Sequence, residues 1–227
     1  MNLQARIDEV DRRVEAACRR SGRNSADVRV IAVTKYVSLE ATREALDHGL
    51  NQVGENRWQD AKEKWEALGQ RGEWHFIGHL QTNKVKEVIG KFAYIHSLDR
   101  LSLAKELEKE AAKRNITVDC FIQVNVSGEE SKYGLPPQEL EAFAEQLLSY
   151  SHLRIVGLMT MAPLESEAEA TRPVFRQLRE LRDQLNAREI LPYPVPHLSM
   201  GMSGDFEVAI EEGATWVRLG SVLVGKS

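Results

Sequence analysis

Apolar positions along the chain fall into two alternating patterns. Residues 2–21 carry Leu3, Ile7, Val10 and Val14 at four-three-four spacing, the period of an amphipathic helix. Ser21-Gly22-Arg23-Asn24-Ser25 then breaks it. Short apolar runs follow at regular intervals: VRVIAVTK (28–35), NQVGEN (51–56), EWHFIG (73–78), FAYIHS (92–97), CFIQVNV (120–126), LRIVGLMTM (153–161), PHLSM (196–200) and TWVRLG (215–220). Their length and their content of β-branched and aromatic residues predict buried parallel strands. Helical patterns lie between them, such as Leu140, Phe143 and Leu147, or Val174, Leu178, Leu181 and Leu185, with breaks or caps at Ser38 and Pro136-Pro137.

Eight strands, seven of them followed by a helix, with one extra helix in front, predict a parallel sheet with right-handed crossovers. Eight units fit a closed (β/α)8 TIM barrel better than a doubly wound open sheet, although spacing alone leaves the open sheet standing. With 227 residues and neither internal repeats nor a linker, the expectation is one domain over 1–227, with 1–21 as the extra N-terminal helix.

Composition narrows the function. The net charge of −4 provides no overall field for nucleic acid or an anionic membrane, so any anionic ligand has to be held by local groups. Cys18 and Cys120 make neither a disulfide framework nor a metal pair. The N-terminus lacks the apolar core of a signal peptide, and no apolar run reaches membrane-spanning length; a cytoplasmic protein is expected.

In such a barrel, ligand chemistry gathers at the C-terminal ends of the strands, with phosphate at the loops after strands seven and eight. Lys35 closes the first run. It either snorkels to the rim or is a desolvated amine able to attack a carbonyl. After the seventh run comes Ser199-Met200-Gly201-Met202-Ser203-Gly204-Asp205, and after the eighth Arg218-Leu219-Gly220-Ser221. Small residues let backbone N–H groups approach an anion, although Ser203 or Asp205 also reads as a plain N-cap. Together with Lys35 these loops suit a phosphorylated ligand that carries a carbonyl.

Other positions stay open. Asn56 is a turn residue or a ring contact. His75 reads as a satisfied interior histidine, whereas His79, beyond Gly78, sits at the rim where it can meet a ligand. Neither histidine pairs at metal spacing. Lys132 lies in the polar loop GEESKYG, either solvated or as a second amine at the pocket mouth, and the role of Lys84 is left open.

The segments IAVTK (31–35), GEN (54–56), WHFIGHLQTNK (74–84), SKYG (131–134), GLMTM (157–161), LSMGMSGDFEVAI (198–210) and VRLGSVLVG (217–225) run through most of the chain. With them the sequence resembles the YggS/PROSC family of pyridoxal phosphate homeostasis proteins, relatives of the alanine racemase barrel domain. The resemblance implies a fold-type III barrel that holds pyridoxal 5′-phosphate (PLP) as a Schiff base on Lys35. It implies phosphate contacts from Ser199, Gly201, Met202, Gly220 and Ser221, and Arg218 at the pyridine nitrogen. Tyr36 replaces the threonine of many members, and the chain stops at Val224-Gly225-Lys226-Ser227 without their longer tail.

PLP catalysis needs an electron sink tuned at the ring nitrogen, and a permanently charged arginine there weakens it. The implied function is therefore a monomeric, non-catalytic carrier that buffers PLP or delivers it to apo PLP-dependent enzymes. The alternatives are a PLP-dependent racemase or lyase, and a cofactor-free Schiff-base aldolase.

Overall fold

The computed structural model describes residues 1–130 and 132–225. Ser131 of the SKYG segment and the terminal pair Lys226-Ser227 lie outside the described residues.

Helix α1 (Leu3–Ser21) starts where Asn2 accepts a hydrogen bond from the Ala5 N–H at 2.9 Å, satisfying one of the free amides of the first turn. It buries the predicted stripe of Leu3, Ile7, Val10 and Val14, together with Ala17 and Cys18. The eight predicted runs form β1 (Arg29–Val33), β2 (Gln52–Glu55), β3 (Glu73–Phe76), β4 (Tyr94–Leu98), β5 (Val118–Gln123), β6 (Leu153–Met159), β7 (His197–Ser199) and β8 (Trp216–Leu219). Every neighbouring pair is parallel, and β1 pairs with β8, so the sheet closes into a barrel. The open-sheet alternative is excluded by that closure.

Seven helices follow the first seven strands: α2 (Leu39–Asp47), α3 (Trp58–Leu68), α4 (Val85–Val88), α5 (Leu101–Arg114), α6 (Leu140–Leu147), α7 (Arg172–Ala187) and α8 (Phe206–Glu211). No helix follows β8 within the described residues, and α1 packs beside α8 instead. Arg13 pairs with Glu207 at 2.6 Å and Arg20 with Glu211 at 3.0 Å across that contact. The extra N-terminal helix thus completes the outer layer.

Alternation along the strands divides the core in two. The larger apolar cluster lies between sheet and helices, with residues such as Ala32, Val53, Phe76, Ile95 and Leu198. A separate cluster of Ile31, Phe121, Met159 and Trp216 fills the barrel interior. No described helix is long and apolar enough to cross a membrane.

Candidate functional site

The C-terminal ends of the strands surround a cavity of about 920 Å³. Lys35, Asn56, His79, Met202, Arg218, Gly220 and Ser221 all line it, brought together from the ends of β1, β2, β3, β7 and β8. Tyr36, Tyr133, Met161 and Leu164 add an apolar rim. Sequence reasoning missed Leu164, because an exposed aliphatic side chain on a loop has no periodicity to mark it.

Lys35 stands two residues beyond the end of β1 rather than within it. The Thr34 N–H still donates to the Gly54 carbonyl at 3.0 Å, and the chain then turns as the Val37 N–H donates to the Thr34 carbonyl at 3.1 Å. Half-buried, the Lys35 ammonium lies 4.9 Å from the Tyr36 ring centroid and makes no hydrogen bond or ion pair with the described residues.

Arg218, on β8, is 4% exposed, with Nη1 donating to the Ser199 hydroxyl at 2.6 Å and Nη2 to the Thr160 carbonyl at 3.1 Å. Burial pulls its pKa down to about 10, with Asp205 acting in the other direction, so it is still cationic at neutral pH. Two residues at and just after the end of β7 lie off the cavity lining. Ser199 is fully buried behind Arg218, where its hydroxyl meets Arg218 and, at 2.9 Å, His96 Nδ1; it is not among the residues lining the cavity. Gly201 is buried as well, at φ 99°, and a Cβ there would come within 2.6 Å of the Ala209 Cβ. It serves the close packing of the loop on α8.

Met202 lines the cavity, but its N–H donates to Asp205 Oδ1 at 2.7 Å. Asp205 therefore bonds within its own loop and makes no capping bond to α8. Burial raises the pKa of its carboxyl, with the Met202 amide and the charges of Arg218 and Lys132 opposing. The Ser203 hydroxyl accepts from the Val222 N–H at 3.3 Å, tying the two loops together. The N–H groups of Ser203, Gly204 and Ser221 donate to none of the described residues. Three unused amides on two adjoining loops, beside a cavity that also holds a guanidinium and an amine, suit an anion such as phosphate.

The remaining candidates separate. His79 stacks on Tyr133 with ring centroids 4.0 Å apart and planes 16° apart, and its buried Nδ1 has no partner among the described residues. Burial, then the charge of Arg100, lowers its pKa. Asn56 is packed against Gly78, where a Cβ would come within 2.4 Å of the Asn56 carbonyl oxygen. Lys132 is tied down: its Nζ donates to the Ala162 carbonyl at 2.7 Å and pairs with Glu129 at 2.7 Å, and it does not line the cavity. Lys84 does line it, 3.8 Å from Glu87. His75 is an interior histidine, fully buried and bonded on both ring nitrogens. Among the described residues no group of three or more His, Cys, Asp or Glu side chains could hold a metal.

Comparison with known proteins adds an independent line. The family model described as alanine racemase, N-terminal domain, matches residues 6–227. The pyridoxal phosphate homeostasis protein of Aquifex aeolicus is 48% identical over 227 residues, covering all of this chain and 99% of the relative. Its Pseudomonas aeruginosa counterpart is 40% identical over 96% of this chain and 93% of the relative. PipY of Synechococcus elongatus, in a structure with PLP bound, superposes with a TM-score of 0.82 at 34% identity, covering 94% of this chain and all of that one. An alanine racemase of Clostridium difficile shares the fold at a TM-score of 0.75 and 14% identity, and this chain covers 56% of it.

Proposed function

The chain belongs to the pyridoxal phosphate homeostasis protein family, on the alanine racemase N-terminal domain fold, and from that premise we propose that it binds PLP reversibly on Lys35 and buffers or delivers it. The observation that carries this reading is the meeting, in one cavity, of the unpaired Lys35 amine, the Arg218 guanidinium and the unused amides of Ser203, Gly204 and Ser221.

Each group has a distinct part. When bound, PLP supplies an aldehyde carbon to which an amine adds. Lys35 presents that amine, and its position past β1 places it inside the mouth of the barrel. The amides of Ser203, Gly204 and Ser221 would hold the phosphate, with Gly220 leaving room beside them. Arg218 would meet the pyridine nitrogen; because it is still charged at neutral pH and can only donate, it would favour the unprotonated nitrogen. Asn56 and His79, which also line the cavity, would border the ring. Val33, Phe76 and Ile77 add apolar surface to a lining that also carries Gln59, Gln81 and Gln123.

The same arginine argues for a carrier rather than an enzyme. An unprotonated pyridine is a poor electron sink, so α-proton removal from an amino acid gains little from it. The relatives in Aquifex aeolicus and Pseudomonas aeruginosa are likewise named as homeostasis proteins. We read the protein as a cytoplasmic monomer whose recipients are apo PLP-dependent enzymes. Two assays test this. The loaded protein, mixed with an apo PLP enzyme, restores that enzyme's activity while losing its own cofactor absorbance. In deuterated water with L- or D-alanine it shows negligible exchange at the α-carbon. Rapid exchange abolished by Lys35→Ala would make it an enzyme.

A further inference from the structure

A continuous line of hydrogen bonds runs through the barrel interior to Arg218. Arg218 Nη1 donates to Ser199 Oγ at 2.6 Å; Ser199 Oγ lies 2.9 Å from His96 Nδ1; His96 Nε2 lies 2.9 Å from His75 Nδ1; His75 Nε2 lies 2.7 Å from Gln52 Oε1. The line starts at the half-buried first residue of β2, crosses β3, β4 and β7, and ends in β8 at the cavity. His75, His96 and Ser199 are all fully buried.

Its two ends fix every proton between them. A guanidinium can only donate and an amide oxygen can only accept. The Ser199 oxygen therefore accepts from Arg218 and sends its own hydrogen to His96 Nδ1. His96 then carries its single proton on Nε2 and gives it to His75 Nδ1. His75 carries its proton on Nε2, toward Gln52. Every donor points away from the cavity, and no other arrangement of two neutral imidazoles satisfies both ends. Burial supports the neutral forms, since it holds both histidines well below their ordinary pKa.

We propose that Ser199, His96 and His75 act as positioning residues, a one-way relay that fixes the plane of the Arg218 guanidinium against the cofactor ring. The inference rests on the reading of Arg218 as the ring-nitrogen group, and it reassigns Ser199 from phosphate contact to ring recognition. Bonds in one sense polarise one another, so the Ser199 hydroxyl is a better acceptor for Arg218 than a lone serine.

The relay is tested without cofactor first. In apo protein carrying ¹⁵N-labelled histidine, both His75 and His96 show protonated Nε2 and unprotonated Nδ1 at neutral pH. In Ser199→Ala the His96 Nδ1 resonance moves to the position of an unbonded imine nitrogen, and Ser199→Thr restores it. A protonated Nδ1 on either histidine of the wild-type protein would overturn the relay, whether or not the variants fold.

Affinities for PLP and for pyridoxal, which lacks the phosphate, give the second readout. Ser199→Ala lowers both by the same factor, about tenfold for a lost hydrogen bond to a charged group. A loss confined to PLP would return Ser199 to the phosphate and contradict the proposal. A wild-type protein that takes up neither ligand would instead sink the PLP reading, while the histidine resonances still decide the relay.

Discussion

Lys64 Nζ lies 2.5 Å from Glu55 Oε1 in an ion pair sealed behind the segment that carries Lys35. Glu55 is fully buried and Lys64 nearly so. The same ammonium donates to the Thr34 carbonyl at 2.7 Å, and the Thr34 hydroxyl donates to Glu55 Oε1 at 2.7 Å. Burial raises the Glu55 carboxyl and the charge of Lys64 opposes it. The pair therefore clamps the residue just before Lys35 to α3 from the outer side of the sheet. Lys64→Met leaves a buried carboxylate without its partner and is expected to cost about 3–5 kcal/mol in a urea titration. The double variant Glu55→Leu with Lys64→Met recovers most of that loss. A double variant no more stable than the single one would show that the packing of Lys64, not its charge, holds the segment.

The interior histidines give stability a pH dependence. Burial pulls His75 from its ordinary value of 6.5 to about 3. Below pH 6.5 the unfolded chain takes up a proton that the folded chain refuses, so stability is complete above that pH and falls as the pH drops toward 3. The slope is about 1.4 kcal/mol per pH unit for each such histidine. Denaturant midpoints between pH 7 and 4.5 measure it, and His75→Gln removes one histidine's share of the slope. Parallel pH profiles for wild type and variant would contradict the assignment.

Gly78 tests how closely Asn56 is held. A Cβ at this position would lie 2.4 Å from the Asn56 carbonyl oxygen and 2.9 Å from its Cα, both backbone atoms that cannot rotate away. Gly78→Ala is expected to push the Asn56 segment into the cavity. It should cost about 1–3 kcal/mol of stability, typical of overpacking. It should also weaken PLP uptake in fluorescence titration. Unchanged uptake would mean that Asn56 does not border the ring.

Ser221 tests the phosphate end. It is exposed, lines the cavity and presents an amide unused by the described residues. Ser221→Asp places a like charge beside the phosphate and is expected to lower PLP affinity at least about tenfold at low salt. Its effect on pyridoxal and on the unfolding midpoint should be small. This contrasts with Ser199→Asp, which would bury a carboxylate beside His96 and disturb the fold itself. Equal losses for PLP and pyridoxal in Ser221→Asp would place the phosphate elsewhere.

How much of this was legible in the sequence depends on the range of the contact. All eight strands could be read because each is a short apolar run, and the helices between them repeat at 3.6 residues. The residues at strand ends followed from the barrel rule, which is why Lys35, Asn56, Arg218, Gly220 and Ser221 were found together. Sequence alone leaves the side of Ser199 open, because a serine at the end of a strand looks the same whether it faces the mouth or the interior. Its direction is decided by His96, 103 residues away in the chain, and by Arg218, 19 residues away. His96 itself sat unnoticed within FAYIHS. Its hydrogen-bond partners come from two other strands, β3 and β7, and nothing local announces them. The Met202 amide was offered to phosphate because the return bond from Asp205 depends on loop geometry rather than on residue type.

Borohydride trapping decides whether PLP is held through Lys35. The protein is loaded with PLP, reduced, digested and mapped by mass spectrometry. A reduced phosphopyridoxyl mass is expected on the peptide containing Lys35, with the visible cofactor band absent in Lys35→Ala. A modification found on Lys84 or Lys132 instead, with Lys35 unmodified, would contradict it.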